Sequence, residues 1–223
     1  MPTFGLIAEG VTDHVVLENI LIGYFNDPDL VVRQLQPLRD ATNELKGFGN
    51  WYNVFEYCKS TVFKDAFIQI DYFVIQIDTD CAHEKNYDVP PIHGESTAQF
   101  IERIIDKFVR LILDSFGNEF YESHKDKILF AVSVDEIECW LLPLYYTDKT
   151  RTAVNNCLHK LNQSLGKLKK ETINPSRKDA KIYEKLSRDY CKTKILKASY
   201  PHNPSFNYFV ERYLVPIDVE MTN

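Results

Sequence analysis

Glycine is scarce in this chain, eight residues in 223, and no stretch is low in complexity. That excludes a flexible linker or tail. No segment recurs at the periods of solenoid proteins. No apolar run approaches the roughly 18 residues a membrane span needs, and the longest apolar clusters are strand-sized. The first eight residues are too short for the apolar core of a secretory signal, and Glu9 interrupts them. These absences predict a soluble, cytoplasmic protein without membrane contact. The five cysteines, Cys58, Cys81, Cys139, Cys157 and Cys191, are odd in number, widely spaced and free of any CxxC pair. That argues against a disulfide framework and a zinc ribbon, and predicts reduced thiols. A phosphate-binding loop is missing too. Gly47 and Gly49 stand isolated and no Walker-type sequence occurs, so the chain is not expected to hydrolyse ATP itself.

What is present is core material. Hydrophobic residues make up 44% of the chain and aromatics 13%, enough for one α/β domain with a helical appendage. Net charge is −6 but unevenly spread. Residues 1–148 hold 11 Lys/Arg against 25 Asp/Glu, a balance of −14, whereas residues 149–197 hold 14 against 4, a balance of +10. An acidic half that can hold cations is followed by a basic segment that can meet phosphates, unless that segment is merely a solvated helical face. The division predicted from this texture is 1–148 for the α/β domain and 149–223 for a basic helical extension packed on it.

Phe4 to Ala8 is a short apolar run stopped by Glu9-Gly10, which reads as a buried strand. Thr12 or Asp13 can cap the helix that follows, with Val15, Val16, Leu17, Ile20 and Leu21 as its wide apolar face. Leu30 to Leu35 reads as a second strand, Pro37 to Asn50 as a loop and Trp51 to Val62 as a helix. Tyr72 to Ile77 is rich in β-branched and aromatic residues and reads as a third strand, running straight into Asp78-Thr79-Asp80. Ser96 to Phe116 has the periodicity of a long amphipathic helix, and Lys127 to Val134 that of a fourth strand. Glu136 to Leu142 starts a helix expected to end before Pro143. Beyond it, 152–170 and 178–198 look helical, and Ser205 is positioned to cap a last helix from Phe206 to Leu214. Strands alternating with helices imply an α/β fold with a mostly parallel sheet covered on both faces.

In such sheets ligands sit beyond the carboxyl ends of the strands. Glu9 ends the first strand, Asp78 the third, and Glu136 or Glu138 follows the fourth. Asp78 and Asp80, two residues apart where the chain leaves the pleat, can lean toward one ion. Glu9 can complete the set, and Asp13, one helical turn on, can support the same ion or a second. Mg²⁺ or Mn²⁺ is the cation such oxygen ligands suit. His83 and His93 in the following loop are secondary candidates for activating water, set against a reading as solvated surface. Phe206, Tyr208, Phe209 and Tyr213 can stack on bases, although helical spacing favours packing. For nucleic acid, Lys169, Lys170, Arg177, Lys178, Lys185 and Arg188 are the candidate phosphate contacts, with Leu165, Leu168, Ile182, Tyr183, Leu186 and Ile195 turned inward.

Glu9-Gly10-Val11-Thr12-Asp13 resembles the first Toprim motif and Asp78-Thr79-Asp80 the second. Asp135-Glu136-Ile137-Glu138-Cys139-Trp140-Leu141-Leu142 and Asn203-Pro204-Ser205-Phe206 are similar to stretches of small Toprim-like proteins of phage-defence loci, related to the overcoming-lysogenization-defect nucleases. The resemblance covers most of the chain, but 37–70 and 143–175 match nothing in it. It implies a Toprim-like Rossmannoid fold and Mg²⁺-dependent cleavage of DNA or RNA beside an ATPase partner. It casts Glu9 as metal ligand or general acid/base, Asp78 and Asp80 as metal ligands, and Asp13, Glu138 and Glu136 as support for a second ion. Lys178 or Lys181 would be the assisting lysine. A homo-oligomer is compatible with the sequence. The alternative is a non-catalytic module of the same fold that binds nucleic acid or the ATPase.

Overall fold

Alternation along the strands sets the architecture. In the computed structural model, which describes residues 2–37 and 50–217, four parallel strands form one sheet: β1 Thr3–Ile7, β2 Val31–Gln36, β3 Tyr72–Asp78 and β4 Ile128–Ser133, in the order β2-β1-β3-β4. Successive side chains point to opposite faces. Phe73, Ile75 and Ile77 of β3 therefore join Ile128, Phe130 and Val132 of β4 in one core, while Val74, Leu129 and Ala131 join another. Both faces are covered by helices, the arrangement a parallel sheet requires because its strands are apolar on both sides.

The first face is covered by α2 Trp51–Cys58, α3 Thr61–Ala66 and α4 Thr97–His124. The helix expected over 51–62 is broken at Ser60, whose hydroxyl caps α3 by accepting the Phe63 amide. The long helix expected over 96–116 is present, capped by Ser96, and is broken at Gly117, whose φ of +81° only glycine adopts without strain. The Lys46–Gly49 centre of the expected loop lies outside the described residues.

The other face is covered by α1 Val11–Phe25 and by the C-terminal third: α5 Glu138–Tyr145, α6 Cys157–Lys167, α7 Ala180–Ser187, α8 Thr193–Ser199 and α9 Pro204–Phe209. Leu161, Leu165, Tyr183, Leu186, Tyr190 and Phe206 share a core with Leu17, Ile20, Val74 and Leu129. Gly23 lets α1 approach the turn after α7 closely: a Cβ there would stand 1.7 Å from the Tyr190 carbonyl oxygen.

Five local expectations are corrected. Gly10, not Thr12 or Asp13, is the residue before α1, and Asp13 instead closes a capping box by accepting the Gly10 amide. Pro143 sits inside α5 rather than ending before it. Proline cannot donate back to residue i−4, and the Cys139 carbonyl accepts from Asn203 Nδ2 instead, at 3.3 Å. The last helix is capped by Asn203, whose Oδ1 accepts the Phe206 amide at 3.0 Å, not by Ser205. Ser205 takes the indole N–H of Trp140 at 2.9 Å, and Trp140 stacks on Phe206 with ring centres 4.7 Å apart. Phe206 and Phe209 are thus core and unavailable to bases. Leu168, expected inward, is 53% exposed, because α6 ends at Lys167. Cys139 and Cys157, expected as thiols, are joined in a disulfide, while Cys58, Cys81 and Cys191 are free. Among the described residues no helix is long and apolar enough to cross a membrane.

Candidate metal centre

Asp78 is the last residue of β3 and lies on the face shared by Val74 and Gln76. Glu9 follows the end of β1, the neighbouring strand. Parallel pairing therefore brings the two acids together at one end of the sheet. The Glu9 carboxylate accepts the backbone amide of Asp78 at 2.8 Å. Gln76 ties the pair: its Nε2 donates to Asp78 Oδ1 at 2.8 Å, and its Oε1 accepts the Glu9 amide at 3.4 Å. A buried glutamine in an otherwise apolar strand was the one sequence clue to this clamp. Ser133 pairs in register with Asp78 on β4 and keeps a buried hydroxyl without a partner.

The turn after β3 is fixed by Asp135, whose carbonyl accepts the amides of Thr79 and Asp80 at 3.0 and 3.1 Å. Tyr87 donates its hydroxyl to the Asp78 carbonyl at 3.0 Å. Asp80 stands exposed at the rim and accepts the Cys81 amide. Glu138 opens α5 and is completely buried. Its Oε1 accepts from the Tyr183 hydroxyl and lies 2.7 Å from Lys178 Nζ. Its Oε2 is buried and has no hydrogen-bond partner among the described residues. Glu136 lies 3.5 Å from the same ammonium and accepts the Leu158 amide at 3.0 Å.

A cleft of about 430 Å³ opens here, lined by Glu9, Asp13, Asp78, Asp80, Glu136 and Lys178 together with Trp51 and Glu84, while Glu138 lies buried behind Lys178. Electrostatics there are one-sided. Burial first, then Asp13 and Asp80, pushes Glu9 up to about 8, with the Asp78 amide and Lys178 opposing. Burial and Glu138 push Asp13 up to about 7. Burial, then Asp13, Glu9 and Glu138, raises Asp78 well above the usual carboxylate range. Glu136 rises to about 7, through burial and then Glu138. Burial would lower Lys178, but Glu138, Asp78 and Glu136 outweigh it and hold the ammonium above the ordinary lysine value.

Like charges buried together without enough counter-charge hold protons, and a divalent cation is the usual relief. The donor set fits a hard one, since every ligand on offer is oxygen and a buried carboxylate oxygen lacks any partner. Three direct ligands of one Mg²⁺ would lie within roughly 4.2 Å of one another, twice the 2.1 Å bond. Among the described residues, the trio of potential ligand atoms found within 4.8 Å is Asp135, Cys139 and Cys157. No trio of the cleft's carboxylates meets that spacing among the described residues, so an ion there would be held in part through water. The sulfurs of Cys139 and Cys157 are bonded to each other and are not thiolate ligands.

Of the two candidate lysines, the cleft takes Lys178. Lys181 is exposed on the first turn of α7 and does not line the cleft. Lys169, Lys170, Arg177, Lys185 and Arg188 are exposed, with Arg188 paired to Glu184 at 2.9 Å and Lys170 over the Tyr145 ring. His83 lines a neighbouring cleft of about 380 Å³ beyond Asp80, and His93 is exposed outside both clefts. Sequence pattern gives Tyr183 only as core, because helical spacing puts it inward and says nothing of its hydroxyl. No family model, curated protein or solved structure matches this chain.

Proposed function

We propose that this chain is a divalent-metal-dependent phosphodiesterase that cuts DNA or RNA, as the resemblance of its motifs to Toprim-like nucleases implies. The observation that carries the reading is the convergence of Glu9, Asp13, Asp78 and Glu138 at the carboxyl ends of parallel strands, with Lys178 as the cation set among them. Glu9 and Asp78 would hold Mg²⁺ or Mn²⁺, partly through water, with Asp13, Asp80, Glu136 and Glu138 around them. When bound, the ion would supply Lewis-acid polarisation of a phosphoryl oxygen and a more acidic water.

The protein's own groups do the rest. Gln76 and the Asp78 amide orient the Glu9 and Asp78 carboxylates before substrate arrives. Lys178 keeps its proton and exposes 32% of its side chain to the cleft, where it would stabilise charge developing on the phosphate. Trp51 offers an aromatic wall at the cleft's edge. Arg177, next to Lys178 in the chain, leads from the cleft into the exposed basic segment, suited to sequence-independent phosphate contacts. The same resemblance supports a cytoplasmic defence role beside an ATPase partner.

The test is direct. Purified chain is incubated with plasmid, single-stranded DNA and total tRNA, in Mg²⁺, Mn²⁺ or EDTA. Cleavage that needs the metal and is lost in Glu9→Ala and Asp78→Ala is the expected result. Nucleic-acid binding without cleavage in every condition, including with the ATPase added, would instead favour the non-catalytic module.

A further inference from the structure

Four acids at the cleft fall into two groups, and among the described residues Lys178 is ion-paired with only one of them. Glu136 and Glu138 form the first. Glu136 Oε1 accepts the Leu158 amide, and its Oε2 lies 3.5 Å from Lys178 Nζ. Glu138 Oε1 takes both the Tyr183 hydroxyl and Lys178 Nζ, the latter at 2.7 Å. Three of the four oxygens of this pair are thus already engaged. The fourth, Glu138 Oε2, is buried and has no partner. The second group is Glu9 and Asp78. Each has one oxygen engaged within the group, by the Asp78 amide and by Gln76. Asp13, whose two oxygens accept from Gly10 and Thr12, holds the start of α1 beside them.

We infer that this centre takes one divalent ion, not two, because the Lys178 ammonium stands where a second ion would sit, between Glu136 and Glu138. The inference rests on the metal-dependent reading above and sharpens it. Two ions clamping one phosphodiester stand about 4 Å apart. Glu138 would have to serve the second ion through Oε1, the oxygen already taken by Lys178 and Tyr183. A second divalent cation and an ammonium cannot share so small a space, since their repulsion in a partly buried site is large. The remaining place is the one at Glu9 and Asp78, whose engaged oxygens accept from the Asp78 amide and Gln76, while Lys178 pairs with Glu136 and Glu138. Lys178 and Tyr183 both come from the C-terminal segment. That segment therefore sets the metal count of a site whose carboxylates come from the earlier part of the chain.

The experiment counts Mn²⁺. The full chain is titrated without nucleic acid, free Mn²⁺ is followed by electron paramagnetic resonance and heat by calorimetry. The expected result is one ion per chain in the wild type and in Lys178→Arg, and a second, weaker ion in Lys178→Met, whose apolar tip vacates the place between the two glutamates. Two ions in the wild type would overturn the inference and leave the metal-dependent reading standing. One unchanged ion in a folded Lys178→Met would also overturn it. No bound ion in any form would sink the metal-dependent reading itself. Should Lys178→Met fail to fold, the wild-type and Lys178→Arg counts still decide.

Discussion

Removing divalent metal should make this protein's stability fall as pH rises, the reverse of what most paired carboxylates produce. In the folded, metal-free chain Asp13 sits at about 7 rather than 3.8, and Glu9 at about 8 rather than 4.5. Between the unfolded and folded values the native state holds protons that the unfolded chain has released. Stability is therefore full below about pH 4 and declines until the folded values are passed near pH 7 to 8. Asp13 is 4% exposed, so its shift of about three units needs little discount and is worth roughly 4 kcal/mol. Glu9 and Asp13 feel each other's charge, so their protons leave as a set and the two shifts do not simply add. Taking one group's worth, the melting temperature should drop on the order of 10 °C across that window for a chain of this size. Saturating Mg²⁺ should oppose the drop, adding about 2.7 kcal/mol at a hundred times its dissociation constant. The assay is thermal unfolding by circular dichroism from about pH 5 to pH 8.5, in EDTA and then in Mg²⁺. A metal-free melting temperature that stays level or climbs over this range, with no response to Mg²⁺, would refute the reasoning.

Three further outcomes can be checked separately. Tyr183→Phe keeps the ring in the core but removes the hydroxyl that Glu138 accepts from; Mn²⁺ affinity measured by calorimetry should weaken about tenfold, and an unchanged affinity would show that the hydroxyl does not orient the carboxylate. Gly23→Ala places a methyl against the Tyr190 carbonyl and should cost at least about 2 kcal/mol in urea unfolding, whereas a cost below about 0.5 kcal/mol would mean that α1 and the 188–191 turn separate easily. Replacing Lys169, Lys170 and Arg177 together by Ala should lower the slope of log affinity against log salt by up to about 2.7 for a duplex, or about 2.1 for a single strand; an unchanged slope would put the phosphates elsewhere.

The sheet and the strand-end acids could be read from the sequence because both depend on short-range pattern. Tyr72 to Asp78 carries its own β-forming residues, and period-two alternation alone puts Val74, Gln76 and Asp78 on one face. Alternation would put Glu9 on the face of Ile7, opposite Asp78; it meets Asp78 because the chain leaves the strand after Ile7. The errors lie where a distant side chain overrides a local rule. Pro143 should stop a helix, but Asn203, sixty residues on, supplies the donor that Cys139 loses. Counting cysteines could not pair Cys139 with Cys157, since their meeting depends on how α5 packs against α6. Ser205 had the local look of a cap and serves Trp140 instead.

The choice between Lys178 and Lys181 shows why the rest of the site was not readable. Both lie in a basic stretch, three residues apart, and local pattern favours neither. What separates them is the path of the chain before α7. Asn162 on α6 holds Ile173 by both its backbone groups, accepting the amide at 2.7 Å and donating to the carbonyl at 2.8 Å. Asp179 then caps α7 by accepting the Lys181 amide. Lys178 is thereby left just ahead of the helix and reaches the cleft, while Lys181 is carried onto the exposed face of the first turn. A buried glutamate beside three other acids is costly unless a cation meets it, so the segment that delivers Lys178 and Tyr183 to Glu138 is part of the site's electrostatics as well as of its scaffold. A chain truncated before Ile173 would lose both groups and, with them, the helices that cover Glu138, so the site's charge balance and its scaffold would go together.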